Sequence, residues 1–461
     1  MSLISPVFMF VCLPLTLALY AFIPQSAKKH TLAIFCVIFY LVANIGNPFS
    51  LILMVLTVVA VYFLSRLIDR QRGKNRSTVT VSAVAVLALV LLTLRFADPL
   101  GVNILHIKYP FGASVWILSA ISCIVDVKRG DAPPPSAVDA VVYISYFPVM
   151  AAGPFIKYKD SLGLFDKNEV TFEGISKGAG YFMLGFIKRF AVAAVLGEML
   201  GAVWADPASG AGILSVIEYI LIVPVAVYAF FSGYSDMGTG VSIMYGVKLP
   251  DNNFDRPLTA VSVLDYVRRF MSTVYGFAQD YIGHAICAHS SSKTVSSLSY
   301  FASFEFLLFW FSADTRAAVI LSPLALLTAL IAANTKERVR SLLVRAASGV
   351  FVFFITALVW GVLLISDIDT LPHLLSNLVL DISNPTGGVL FGGFSMVRYA
   401  VTFLITFITL AVLDRSVHAP GEYELTKGKA VLTTVINCIM LLMFAFSLLF
   451  YYPQFPISGL I

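Results

Sequence analysis

The chain has 461 residues, of which 59% are hydrophobic and 12% charged, with a formal net charge of +5 and a mean hydropathy of +0.88. A water-soluble domain needs a charged surface, so this balance excludes one and reads as an integral membrane protein. The excess of lysine and arginine is not a nucleic-acid footprint, because it sits in short loops beside apolar runs, where it sets topology; no nucleic-acid partner is expected.

Apolar runs follow one another along the whole chain, over 3–23, 32–42, 51–64, 79–94, 175–196, 213–231, 350–365, 399–413 and 431–452. Shorter or interrupted ones lie over 113–125, 140–152 and 301–331. At roughly 20 residues per crossing, about eleven to thirteen crossings or re-entrant segments are expected. No interval between them is polar enough for a soluble domain, so residues 1–461 read as one all-α polytopic transmembrane domain. The first run lacks a basic region before it and a small-residue cleavage site, and is expected to stay as a transmembrane helix. Cys12, Cys36, Cys123, Cys287 and Cys438 stand singly, with neither metal-ligand nor disulfide spacing. No bound metal or cofactor is expected.

Basic residues mark alternate junctions: Lys28-Lys29, then Arg66, Arg70, Arg72, Lys74 and Arg76, then Lys128-Arg129. The Asn47-Pro48 connection between the first two carries none. With the basic loops cytoplasmic, the N-terminus is extracytoplasmic. Asp131-Ala-Pro-Pro-Pro135 is a stiff turn. Residues 148–166 and 248–293 mix charges with aromatic and apolar side chains, so neither can face lipid along its length. His284 and His289, five residues apart, do not have helical ligand spacing and read as loop or interface histidines.

The run Phe230-Phe-Ser-Gly-Tyr-Ser-Asp-Met-Gly-Thr-Gly240 places Asp236 among small and hydroxylic residues at the end of an apolar span. A carboxylate there needs partners or a water-filled cavity. Two compatible roles stay open for Tyr234, Ser235 and Asp236: pairing with Arg268 or Arg269 to hold helices together, or lining a tunnel. Gly233, Gly238 and Gly240 allow helices to approach closely.

Several ordered motifs carry a family resemblance. They are the opening Ser5-Pro-Val-Phe-Met-Phe-Val-Cys-Leu-Pro-Leu-Thr-Leu-Ala-Leu-Tyr20, the segments Ile124-Val-Asp-Val-Lys-Arg-Gly-Asp131 and Tyr146-Phe-Pro-Val-Met-Ala-Ala-Gly-Pro-Phe-Ile-Lys-Tyr158, the run Phe231-Ser-Gly-Tyr-Ser-Asp-Met237, and the ending Phe450-Tyr-Tyr-Pro-Gln-Phe455. Together they resemble the membrane-bound O-acyltransferase (MBOAT) family, in its bacterial alginate O-acetylation branch. The resemblance implies a bundle of helices around a central tunnel in the bacterial inner membrane. It also implies acetyl-CoA as acyl donor from the cytoplasm, and transfer to an extracytoplasmic polysaccharide, often through a partner.

The family's reaction needs a base, and histidine accepts a proton near neutral pH. Here the family's tryptophan–histidine element corresponds to Phe309-Trp310-Phe311-Ser312, which puts Phe311 at the histidine position. Its arginine-rich element appears as Val267-Arg268-Arg269-Phe270-Met271, with Met271 at a second such position, and Leu324 stands at a third. No catalytic residue is therefore assigned. Ser312 and Asp314 are the remaining polar candidates, and Asp314 reads either as a replacement base or as part of a polar junction with Arg316. Asp280 is expected to partner Arg268 or Arg269. The resemblance with its replaced histidines favours a catalytically degenerate accessory component, a pseudoenzyme, in envelope or exopolysaccharide O-acetylation. Its partners would be the lipid bilayer and a histidine-containing MBOAT paralogue, a periplasmic acetyltransferase or a polysaccharide synthase complex. An active O-acetyltransferase is the alternative.

Overall fold

The computed structural model describes residues 3–96, 109–166, 168–205, 213–249, 253–287, 292–334, 342–365, 369, 371–372, 396–417, 436–445 and 447. All regular structure among the described residues is helical. Among the described residues, eight helices are long and apolar enough to cross a membrane, and four shorter apolar helices accompany them, against the eleven to thirteen segments expected from roughly 20 residues per crossing. The terminal aromatic motif, Asp251, and the histidines His106, His289, His373 and His418 lie outside the described residues. The helices divide into two compact units.

The first unit comprises Met1–Phe182 and Ser235–Asp251. It holds α1 (Leu13–Phe22), α2 (Gln25–Ala43), α3 (Pro48–Arg70), α4 (Gly73–Phe96), α5 (Ala113–Arg129) and α6 (Ala137–Ser145), with the beginning of α7 (Phe172–Ile187). Helices α2, α3 and α4 keep apolar side chains such as Ile38, Phe63 and Leu89 exposed, as lipid-facing helices must. Helix α5 differs: twelve of its residues are buried, from Ala113 to Val127. It ends where Gly130, at φ 84°, takes the left-handed conformation and turns its N–H back to the Asp126 and Val127 carbonyls, a glycine helix stop.

Asp126 itself is fully buried. Its Oδ2 accepts from the Lys159 backbone N–H at 2.9 Å, while Ser122 Oγ accepts from the Tyr158 N–H at 2.9 Å. Residues more than thirty apart in sequence thus interlock, the helix supplying acceptors for an irregular stretch that would otherwise leave amides unpaired. Helix α6 starts after the proline turn with a capping box: Asp139 N–H donates to Ser136 Oγ at 3.2 Å, and Ser136 N–H to Asp139 Oδ2 at 3.3 Å. Burial alone would raise the Asp139 carboxyl, but hydrogen bonds from Lys29 and Ser136 hold it below its ordinary value.

The second unit comprises Met183–Tyr234 and Asn252–Leu460. Helix α7 passes through a π-helical stretch, Lys188–Ala193, into α8 (Ala194–Ala205). Helix α9 (Ile213–Met244) follows, with its residues to Tyr234 in this unit and the rest in the first. The mixed 248–293 region becomes three short helices, α10 (Val263–Arg269), α11 (Ser272–Phe277) and α12 (His284–Cys287). The antiparallel pair α13 (Lys293–Phe311) and α14 (Thr315–Asn334), then α15 (Leu342–Leu363) and α16 (Met396–Phe407), complete the described helices used below.

Candidate functional site

Phe311 closes α13. The helix starts with Ser292 capping the Val295 N–H at 3.3 Å and stops where Ser312 turns extended, its N–H still bonded to the Leu308 carbonyl. This puts the Phe311 ring inward, 6% exposed. Phe231 lies edge-on to it at 5.3 Å between centroids, Trp360 at 5.2 Å and Phe270 at 5.8 Å. Each such pair contributes about 0.5–1.5 kcal/mol beyond area burial. Four aromatic rings from α9, the end of α10, α13 and α15 therefore meet in the second unit.

Beside this cluster lies a cavity of about 100 Å³, with Phe311, Leu324, Phe270, Trp360 and Tyr266 in its wall. Phe311 and Leu324, two of the positions where the resemblance expects a histidine, thus share one apolar surface. The third, Met271, follows Phe270, is 3% exposed and sits at φ 48°. A left-handed non-glycine residue costs of order 1–3 kcal/mol and persists only where its surroundings hold it. Here Asn253 does so: its carbonyl accepts the Ser272 N–H at 2.8 Å and its side chain accepts the Thr273 hydroxyl at 2.6 Å.

The lining residues include no histidine, carboxylate, lysine, arginine or cysteine. Their one ionisable group is the Tyr266 phenol, which accepts from Trp360 Nε1 at 2.8 Å. Burial pushes that phenol well above its usual range against the opposing effect of the tryptophan N–H, so it stays neutral.

The polar candidates fall outside this wall. Ser312 is 1% exposed, and its hydroxyl donates to the Phe309 carbonyl at 3.3 Å. Asp314, 3% exposed, accepts from the Arg316 backbone N–H at 2.8 Å and from its guanidinium at 2.9–3.3 Å. Arg316 also forks onto Asp369 at 2.9 Å. The structure thus gives Asp314 a charged partner at the α13–α14 turn.

Of the 230–240 run, Tyr234 belongs to the second unit, 9% exposed, and Ser235 and Asp236 to the first, 3% and 6% exposed. Arg268 is exposed on α10. Arg269 donates to Asp265 Oδ1, one turn earlier, at 2.6 Å, and Asp280 faces His284 Nδ1 at 3.5 Å. Arg269 and Asp280 thus each have a partner one helical turn away on their own segment. Among the described residues, no group of three or more histidines, cysteines or carboxylates is placed to hold a metal.

The second unit also holds a buried charge cluster that no motif in the sequence marks. Lys188 and Arg189 are each 1% exposed in the π-helical stretch. Lys188 Nζ donates to Asp414, which also accepts from Tyr228 Oη at 3.3 Å. The Arg189 guanidinium lies 4.8 Å from the Phe230 ring centre and 5.7 Å from that of Tyr234. The signal available was Lys188-Arg189 itself, two charges interrupting an apolar run.

Residues 35–364 match the model of the MBOAT, membrane-bound O-acyltransferase, family. The chain is 29% identical over 299 residues to "Probable alginate O-acetylase AlgI" of Azotobacter vinelandii, covering 60% of this chain and 58% of that one. It is 28% identical over 148 residues to the peptidoglycan O-acetyltransferase of Helicobacter pylori, covering 32% and 28% respectively. It is 25% identical over 241 residues to the teichoic acid D-alanyltransferase of Lacticaseibacillus rhamnosus, covering 49% and 57%. In each case the match spans less than two-thirds of the relative's length. With the family model matched across more than half of its residues, this multi-pass helical chain belongs to the membrane-bound O-acyltransferase family.

Proposed function

We propose that this chain works in O-acyl transfer to an envelope polymer in the bacterial inner membrane, as a component that does not itself carry out the transfer. The observation behind this reading is the wall around Phe311. Activating a neutral hydroxyl requires a group that accepts its proton, and that contribution is typically about a hundred- to ten-thousand-fold. Phe311 and Leu324 line a cavity with no histidine or carboxylate, and its one phenol is held neutral. Asp314 is bonded to Arg316, a partner that favours the charged carboxylate but competes for the oxygens a base would use.

The role left to such a chain is to assemble with, or gate access to, a histidine-containing paralogue, a periplasmic acetyltransferase or a polysaccharide synthase. Acetyl-CoA is the donor on this reading, the acceptor polymer is extracytoplasmic, and Tyr234, Ser235 and Asp236 serve the polar lining or the packing of the helices. The named relatives act on alginate, peptidoglycan and teichoic acid, which supports an envelope polymer as the class of acceptor.

The test is thiol release from labelled acetyl-CoA by the purified chain in nanodiscs, beside a histidine-containing relative. The expected result is release at the protein-free rate, with Phe311→His alone giving no gain, because Met271 and Leu324 supply no polar partner. Turnover well above background by the native chain would overturn the proposal, and Asp314→Asn would then show whether Asp314 carries the reaction.

A further inference from the structure

The cavity beside Phe311 is suited to something other than a reacting centre. The few polar groups in its wall already take part in hydrogen bonds within the protein. The Thr328 hydroxyl donates to the Leu324 carbonyl at 2.8 Å, the Thr356 hydroxyl to the Phe353 carbonyl at 2.9 Å, and Trp360 Nε1 to Tyr266 Oη at 2.8 Å. A water needs two to four polar partners, and apolar cavities of this kind stay dry; one of about 150 Å³ lined by leucine, isoleucine and phenylalanine holds benzene. At about 100 Å³, this one has room for a few methylene groups and no charged group to hold an ionic ligand.

Its setting identifies the hydrocarbon. The walls come largely from α13, α14 and α15, all three long and apolar enough to cross a membrane. On these helices, residues next to the lining point the other way with apolar side chains exposed. Leu327, 54% exposed, adjoins Thr328, and Leu358, 60% exposed, adjoins Val359. In the wall itself, Leu324 and Thr328 on α14 and Ile355 and Val359 on α15 are only partly buried, so the cavity opens midway along the helices that meet acyl chains of the bilayer.

We infer that the cavity is a binding site for the end of one hydrocarbon tail of a bilayer phospholipid, seated between α13, α14 and α15 against Phe311, Leu324 and Trp360. The occupant is held by apolar contact alone and forms no covalent bond. This goes beyond the functional proposal and is tested apart from it, since acetyl-CoA turnover reads one and lipid contact the other.

The experiment reconstitutes the full chain in nanodiscs of phosphatidylglycerol carrying a diazirine near the terminal methyl of one chain. After irradiation, adducts are mapped by tandem mass spectrometry. Adducts on Phe311, Leu324 or Thr356 are expected beside those on the lipid-facing Leu327 and Leu358. Filling the cavity with Ala325→Leu should lower the inner adducts at least five-fold and leave the outer ones unchanged. Thr328→Leu, which fills from the same helix, serves if Ala325→Leu does not fold. Adducts confined to Leu327 and Leu358, or inner adducts indifferent to both substitutions, would overturn the inference. Displacement of the inner adducts by added octanoyl-CoA would overturn the choice of occupant, giving the cavity to an acyl donor.

Discussion

Lys188 and Asp414 meet where neither is solvated, one 1% and the other 8% exposed. Taking an ammonium and a carboxylate out of water costs several kcal/mol each, and the pair survives because each also offsets the other's charge. Tyr228 adds a hydrogen bond to the carboxylate, and its ring lies 5.6 Å from Lys188 Nζ. Removing one partner leaves a buried charge, so Lys188→Met should lower stability by about 3–5 kcal/mol. The double variant Lys188→Met with Asp414→Leu should recover much of that loss, because no charge is then stranded. Chemical denaturation in detergent measures both, and a Lys188→Met midpoint equal to the native one would refute the pairing. At this scale the sequence was readable where a charge stands inside a recognisable run, as Asp236 does among the small and hydroxylic residues of 230–240. It was not readable at Lys188, whose apolar neighbours averaged it into a span and whose partner lies 226 residues away.

Helix α9 shows what an element needs from its glycines. A Cβ on Gly240 would come within 2.5 Å of the Gly178 carbonyl oxygen on α7, and one on Gly178 within 2.5 Å of the Gly240 carbonyl oxygen, so the two backbones touch through paired glycines. Two residues before Gly240, Gly238 faces the irregular stretch after α6: a Cβ there would collide with the Pro148 carbonyl and lie 3.2 Å from the Gly153 carbonyl oxygen. Both obstacles are backbone, which cannot swing aside as a side chain would. Gly238→Ala should therefore cost at least the 1–3 kcal/mol typical of overpacking, despite alanine's better helix propensity. A thermal midpoint in detergent at or above the native value would show that the loop yields. The glycine spacing announced close packing in the sequence, but not its partners, because Pro148 and Gly178 carry no matching signal. The 248–293 region behaved similarly. Its charges forbade a lipid-facing span, and it forms short helices, while the left-handed turn at Met271 follows from the Asn253 contacts that nothing local predicts.

At the scale of the whole chain, the alternation of basic junctions orders the first helices. Helix α2 begins beside Lys28-Lys29, α3 ends at Arg70, α4 begins beside Lys74 and Arg76, and α5 ends at Lys128-Arg129. The first unit brings those ends together without reference to charge counting. Lys29 Nζ bonds Asp166 at 2.6 Å and also Asp139, Gln25 donates to the Asp166 carbonyl at 3.3 Å, and Arg76 donates to the Val127 carbonyl at 2.7 Å. The basic residues thus gather at one end of the unit, while the turn at 44–47, free of basic residues, separates α2 from α3 a helix length away. If the basic end is cytoplasmic, as short basic loops dictate, Asn47 faces outward. In a chain cleared of its five native cysteines, Asn47→Cys should react with a membrane-impermeant maleimide on intact cells. Arg129→Cys should react only after the membrane is opened. The reverse pattern would invert the chain, and would move the basic end, with its Lys29, Asp139 and Asp166 contacts, to the side of the polymer acceptor.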